Sequence, residues 1–279
     1  MRQTEDPEMS VKNILVAYSG EYMHSSALRH AINITRYHDG HLTGVVRHGM
    51  PKIQKRFAGQ VPQDIVEMLE QADADRITEI RSLFDAIVAK SGLSERADFV
   101  DLETSAGHSL TAYARHFDLI VTGAHTETGE EHLAADPDTL TLYSGRPVLA
   151  VPPDYKAEGV ADHALIAWDG KRCAARALGD AMDILEDKAR VTVLEVGKDT
   201  VPGTDTLLRN LERHGIDAQL VNKPRHRSIA QTVLETTGEV GARLIVMGAY
   251  EHSRFQHNLI GGVTTDVMAK STVPVFLSH

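Results

Sequence analysis

The sequence predicts an α/β protein made of two doubly wound, five-stranded parallel-sheet domains in tandem. Three observations carry this prediction. The chain repeats itself: "NILVAYSGEYMHSSALRHAINI" from Asn13 is echoed by "HALIAWDGKRCAARALGDAMDI" from His163. An offset of 150 residues aligns Ala17 with Ala167, Gly20 with Gly170, and Ala27-Leu28 with Ala177-Leu178. The ends match too: "DLIVTGAH" from Asp118 pairs with "RLIVMGAY" from Arg243, and "GRPVLAVP" from Gly145 with "TVPVFLSH" from Thr272. Finally, apolar runs of strand length alternate with segments of helical period, the pattern of a parallel sheet covered on both faces.

In the first copy strand one ends in "ILVAYSG". The offset then falls from 150 to 125, so the first copy holds about 25 extra residues. They are placed in the segment of about 50–90, read as a loop and a long polar helix. "SAGHSL" looks like a helix start, with Ser109 as its cap. In the second copy the strands are "ALIAW", "VTVLEV", "AQLVN", "RLIVMG" and "VPVFLS". Between them lie the helical segments "KRCAARALGDAMDILED", "TDTLLRNLERHG", "SIAQTVLETTGEVG" and "GVTTDVMAKS". The domains are expected at 1–155 and 160–279, joined by "PPDYKAEGVAD", a short linker with proline and charge at its ends. The last strand of each copy is apolar and has no charge at its middle. Two bare edges of this kind are expected to pair antiparallel across a pseudo-twofold axis. Val275→Lys is then expected to disturb the contact between copies rather than the core of either.

Bulk composition narrows the function. Net charge is −10, which disfavours nucleic acid as a partner because a phosphate backbone needs a basic face. The cluster Lys223, Arg225, His226 and Arg227 reads as a solvated loop. Apolar runs reach only about six residues, too short to span a bilayer. The acidic start "MRQTEDPEMS" has no apolar core, so no signal peptide is read there and a cytoplasmic location is expected. One cysteine, Cys173, excludes an internal disulfide framework. It sits in the first turn of a helix but is read as an inert, partly buried thiol.

No GxSxG elbow, GxxxxGK[ST] loop, GxGxxG fingerprint or HExxH pair is present. Among fifteen histidines, His252 and His257 share one loop, but no further ligands assemble a zinc site, and no metal is expected. In doubly wound sheets ligands bind at the carboxyl ends of the strands, where strand order reverses. That points to the turn "WDGKR" and to "GAYEHSRFQHNLIGG", a strand end and a glycine-bearing loop that feeds a helix.

At these residues the chain resembles the universal stress protein family in its tandem form. "ILVAYSG" and "LIAWDG", then "LIVMGAYEHSR", then "TTDVMAKS-TVPVFL" carry the resemblance over nearly the whole chain. It implies a Rossmann-like, adenine nucleotide alpha hydrolase-like fold. It also implies a nucleotide site made of an adenine-reading Asp, a Gly-x-x-Gly after strand four, and a glycine with Ser or Thr at a helix start. Matched residue by residue, the site would comprise Asp169, Gly170, Gly248, Arg254, Gly261, Gly262, Val263 and Thr264. Glu251 stands where the second loop glycine is expected, and Gly262 replaces the Ser or Thr. Copy one departs further. Ser19 replaces the Asp, and the loop after Gly123 is acidic, which opposes a phosphate.

The resemblance thus implies a stress-response binding and signalling module, with ATP or another adenine nucleotide in the second copy. Catalysis is not expected, although slow ATP hydrolysis stays open. The alternative is a structural or interaction protein of the same fold without nucleotide, meeting its partner through the long helix of copy one. A homodimer is expected, because closed twofold assembly is common among soluble proteins.

Overall fold

In the computed structural model, the described residues are 11–20, 25–48, 62–103, 109–124, 135–156, 162–250 and 262–279. Copy one runs β1 (Asn13–Ala17), α1 (Ser26–Tyr37), β2 (His41–His48), α2 (Gln63–Lys90), β3 (Ala97–Glu103), a one-turn helix α3 (Leu110–Tyr113), β4 (Leu119–Gly123), α4 (Pro137–Tyr143) and β5 (Val148–Val151). Copy two runs β6 (His163–Ala167), α5 (Arg172–Asp180), α6 (Met182–Glu186), β7 (Arg190–Val196), α7 (Thr204–Arg213), β8 (Ala218–Lys223), α8 (Ile229–Val240), β9 (Leu244–Gly248), α9 (Val263–Lys270) and β10 (Val275–Ser278).

Local chemistry sets several boundaries. Ser25 caps α1 by accepting from Leu28 N at 3.2 Å, and Ser228 caps α8 by accepting from Gln231 N at 3.1 Å. Gly241 closes α8 in the left-handed region, φ 68°. The Asp118 carboxylate accepts from Lys12 N at 3.0 Å and Asn13 N at 2.8 Å, so the approach to β4 holds the start of β1. Two expectations change in detail. The segment "KRCAARALGDAMDILED" is split at Ala181 between α5 and α6, shortly after Gly179. Ser109 precedes α3 but does not cap it; its hydroxyl meets Thr111 Oγ1 at 2.6 Å instead.

The strands form one ten-stranded sheet in the order β3-β2-β1-β4-β5-β10-β9-β6-β7-β8. Within each half every pairing is parallel, and the order reverses between β1 and β4 and again between β6 and β9. The halves join through β5 and β10, antiparallel, with Val275 opposite Ala150, Phe276 opposite Leu149 and Leu277 opposite Val148. The two bare edges thus satisfy each other's backbone donors and acceptors.

Burial is organised unequally on the two faces. One face carries a single core that crosses the seam, from Ile14, Leu28 and Phe84 through Leu149 and Phe276 to Ile166, Leu178 and Leu211. The other face has two separate clusters, around Leu15, Ile120 and Leu140 in copy one and around Leu165, Ile245 and Leu277 in copy two. Val275 is fully buried among the second of these. A lysine there would therefore strike the core of copy two as well as the seam, against the expectation that only the contact between copies would suffer.

The extra segment of copy one becomes α2, 28 residues long. Its Ile77, Ile80, Phe84 and Val88 are buried, and its outer surface is largely polar, with Ile65 and Met68 exposed near its start. Phe84 lies against Tyr18 and Phe99, with ring centroids 6.1 and 5.3 Å apart.

Candidate functional site

The two strand-order reversals place one crevice in each copy. In copy two it is framed by the turn after β6 and the loop after β9. Asp169 opens that turn, exposed, with its carboxylate accepting from Lys171 N at 3.0 Å and lying 3.7 Å from Lys171 Nζ. Gly170 follows with φ 73°, a conformation an L side chain rarely adopts. The side chain of Val201 lies over it: a Cβ on Gly170 would come within 2.4 Å of Val201 Cγ1. The buried Glu195 holds that covering loop, accepting from Val201 N at 3.0 Å, from Asn222 Nδ2 at 3.3 Å and from the Thr204 hydroxyl.

Across the crevice, β9 ends at Gly248. The glycine is required by packing. A Cβ there would sit 2.4 Å from Ala174 N and Cys173 C, inside the backbone of α5. Cys173 is 2% exposed, with Sγ 3.6 Å from the Arg172 guanidinium and 3.8 Å from His279 Nδ1. His279 Nδ1 is bonded to Ala249 O at 2.8 Å, so the thiol is packed in. Arg254 and Gly261, with Glu251, His252 and His257, lie outside the described residues.

Gly262 precedes α9 in extended conformation, φ −165°, and lends no side-chain cap. Val263 and Thr264 form the first turn. Thr264 is buried, with its hydroxyl 3.4 Å from Tyr250 N. The first amides of α9 therefore have no side-chain acceptor supplied by their own cap, and such amides favour an anion.

Copy one has closed the equivalent position. Asp136 caps α4, accepting from Asp138 N at 3.2 Å and from the Thr139 hydroxyl, and Pro137 contributes no amide at all. A carboxylate from the chain itself thus occupies the place where an external anion would dock. The turn after β1 is closed as well. Gly20, φ 76°, lies beneath Ile80 of α2, and Arg76 donates to Gly20 O at 3.3 Å. Ser19 is buried there rather than presented.

One contact the sequence did not foreshadow links the copies. The hydroxyl of Tyr250, two residues beyond Gly248, donates to the Asp138 carboxylate of α4. Tyr250 holds φ 55°, unusual for a residue with a Cβ. Its pKa is pushed up, first by burial and then by Asp138. Burial also raises the Asp138 carboxyl, with the Tyr250 hydrogen bond pulling the other way. Both sequence neighbourhoods look like loop; only the seam brings them together. Among the described residues no cluster of three or more His, Cys, Asp or Glu side chains is placed to hold a metal. Nor is any described helix long and apolar enough to cross a membrane.

Comparison with known proteins fits this geometry. Residues 209–279 match the universal stress protein family. That stretch covers Gly248 and the start of α9 but not the Asp169 turn. A universal stress protein of Synechocystis sp. is 26% identical over 168 residues, 57% of this chain and 57% of that protein. The chain thus matches little more than half the length of that relative. The crystal structure of a universal stress protein from Archaeoglobus fulgidus DSM 4304 superimposes with a TM-score of 0.70 at 15% identity, over 95% of this chain and 96% of that one. A protein of unknown function from Pseudomonas aeruginosa PAO1 gives 0.56 at 16% identity, over 96% of this chain and 92% of that one. At such identity these two likenesses speak for the fold.

Proposed function

We propose a stress-response binding module that takes one adenine nucleotide, ATP or a relative, in its second copy; the match of residues 209–279 to the universal stress protein family and the likeness of the fold to a solved universal stress protein support this reading. The observation that carries this reading is the contrast between two helix starts. In copy two α9 begins at Gly262 without a side-chain cap, beside Thr264 and across the crevice from Asp169. In copy one the equivalent start is filled by Asp136 and Pro137, and Ser19, in the place of Asp169, is buried. Asp169 would read the base, Gly170 would let the chain turn beside it, and the amides at Gly262, Val263 and Thr264 would meet the phosphates. Arg254 would offset the charge, and Gly261 would admit close approach. Binding rather than catalysis is the role proposed.

A second reading has its own support: the same fold acting as a structural or interaction protein without nucleotide. Gly248 is explained by α5 alone, and Asp266 in the first turn of α9 already answers part of that helix's positive end. Native mass spectrometry and calorimetry with ATP separate the two. One nucleotide per chain supports the first reading. None favours the second, and two per chain would defeat the asymmetry. In the cell, the module is proposed to work in the cytoplasm, as a homodimer of tandem chains.

A further inference from the structure

The seam between the copies contains a cleft that the nucleotide reading leaves unused. It opens on the face whose core runs through both halves, between α1 and the turn that follows α6. Its walls are apolar where Ile34, Leu149 and Ile184 face it, and its polar lining holds two cations, Lys188 and Arg243, one acid, Asp187, and otherwise uncharged groups that include His30. Its cavity volume is about 30 Å³, and it opens to solvent. That suits a ligand of a few heavy atoms.

The polar groups of this cleft do not balance among themselves. His30 is 7% exposed, and its Nδ1 has no hydrogen-bond partner. Lys188 is half-buried; its ammonium makes no hydrogen bond or close ion pair among the described residues, and the carboxylates of Asp187 and Asp162 act on it only from a distance. Asp187, the acid on the rim, is engaged by the Tyr37 hydroxyl. Lys188 and Arg243 both lie near enough to act on the His30 ring. Lys188 and Arg243, with Asp187 and Asp162 nearby, thus flank a buried imidazole whose Nδ1 has no partner, against an apolar wall.

We propose that this cleft binds a small aliphatic carboxylate, held by Lys188 and Arg243 at its charged end, by His30 Nδ1 as a further donor, and by Ile34, Leu149 and Ile184 along its chain. Each feature selects against a competitor. Inorganic phosphate meets the cationic end but leaves the apolar wall bare. A neutral apolar molecule covers the wall but leaves Lys188 and His30 unpaired, and that polar mismatch is the expensive one. The ligand lies between α1 of copy one and the α6–β7 turn of copy two, so binding would fasten the seam.

The test uses the full-length protein and butyrate as probe, with phosphate and chloride as controls. The side-chain resonances of His30 are followed by NMR, and the thermal midpoint is read alongside. Saturable movement of His30 with butyrate is expected at a dissociation constant on the order of a millimolar, with a raised midpoint and no matching response to phosphate or chloride. Lys188→Met keeps the length and removes the charge; it should weaken butyrate at least about tenfold while leaving the ligand-free midpoint near its original value. If His30 does not respond to butyrate in the wild-type protein, the proposal fails. It fails equally if phosphate produces the same saturation, or if Lys188→Met binds butyrate unchanged.

Discussion

Replacing Gly248 by alanine tests what that glycine is for. The family pattern assigns it to a ligand loop; the structure assigns it to α5. The added Cβ would lie 2.4 Å from two backbone atoms, Ala174 N and Cys173 C, and 2.8 Å from Cys173 Cβ. Ordinary contact starts near 3.4 Å, so α5 must retreat by about 1 Å. The helix cannot do so freely. Cys173, Ala174, Ala177 and Leu178 are all buried beneath it. Overpacking of this kind costs about 1–3 kcal/mol, and a backbone-to-Cβ clash belongs near the upper figure. For a chain of this size that corresponds to a fall in thermal midpoint of roughly 2–5 °C. Urea unfolding and calorimetric ATP binding are measured on the same preparation. Gly262→Ala serves as the contrast, because a Cβ there meets nothing within 4 Å and the backbone is already extended. It should change stability by less than about 1 kcal/mol. Wild-type stability in Gly248→Ala together with weakened ATP binding would refute the packing argument and return the glycine to the ligand.

Three further outcomes follow from the structure. If copy two binds nucleotide, Asp169→Ala should weaken it by about 1–3 kcal/mol without moving the unfolding midpoint, since the side chain is exposed; calorimetry and urea unfolding read the two separately. His30 is held neutral, its pKa lowered from 6.5 to about 4, mainly by burial. The unfolded chain therefore binds the extra proton between those values, and stability should fall as pH drops through that window by an amount on the order of 3 kcal/mol. His30→Leu should flatten that part of the profile, and an unchanged slope would show that another group sets it. Phe276→Ala removes a fully buried ring opposite Leu149 and should cost about 3–5 kcal/mol, accompanied by faster amide exchange in both β5 and β10. Faster exchange in β10 alone would mean that the halves do not depend on that pair.

Much of the fold was legible because it rests on patterns local in the sequence. The repeat located both copies, strand-length apolar runs located the sheet, and the uncharged final strands indicated how the halves meet. The 125-residue offset implied an insertion, which became α2. What the sequence hid depends on distant neighbours. Nothing near Gly248 reveals that Cys173 and Ala174 need its missing Cβ. Tyr250 and Asp138 stand 112 residues apart, and only the seam joins them. His30 reads as one more helical histidine until β5 and the turn after α6 close around it. The site was half legible for a related reason. The residue types at Asp169 and Gly262 are visible in the sequence, whereas the self-capping of α4 by Asp136 and the shielding of Gly20 by Ile80 are tertiary facts.

The antiparallel join of β5 to β10 has a consequence for how the two halves have been free to change. In an assembly of identical subunits, every substitution appears twice, and a residue that closes one site closes both. Here each position exists once per twofold unit. Asp136 and Pro137 at one helix start, and Gly262 and Val263 at the other, show how far apart counterparts have drifted. The tether also frees the pairing from dilution, because a covalently attached partner stays at an effective concentration of about millimolar or above. The seam can therefore hold chemistry that a self-symmetric interface cannot: an α1 histidine from one half facing a lysine from the other, with no mirror image required.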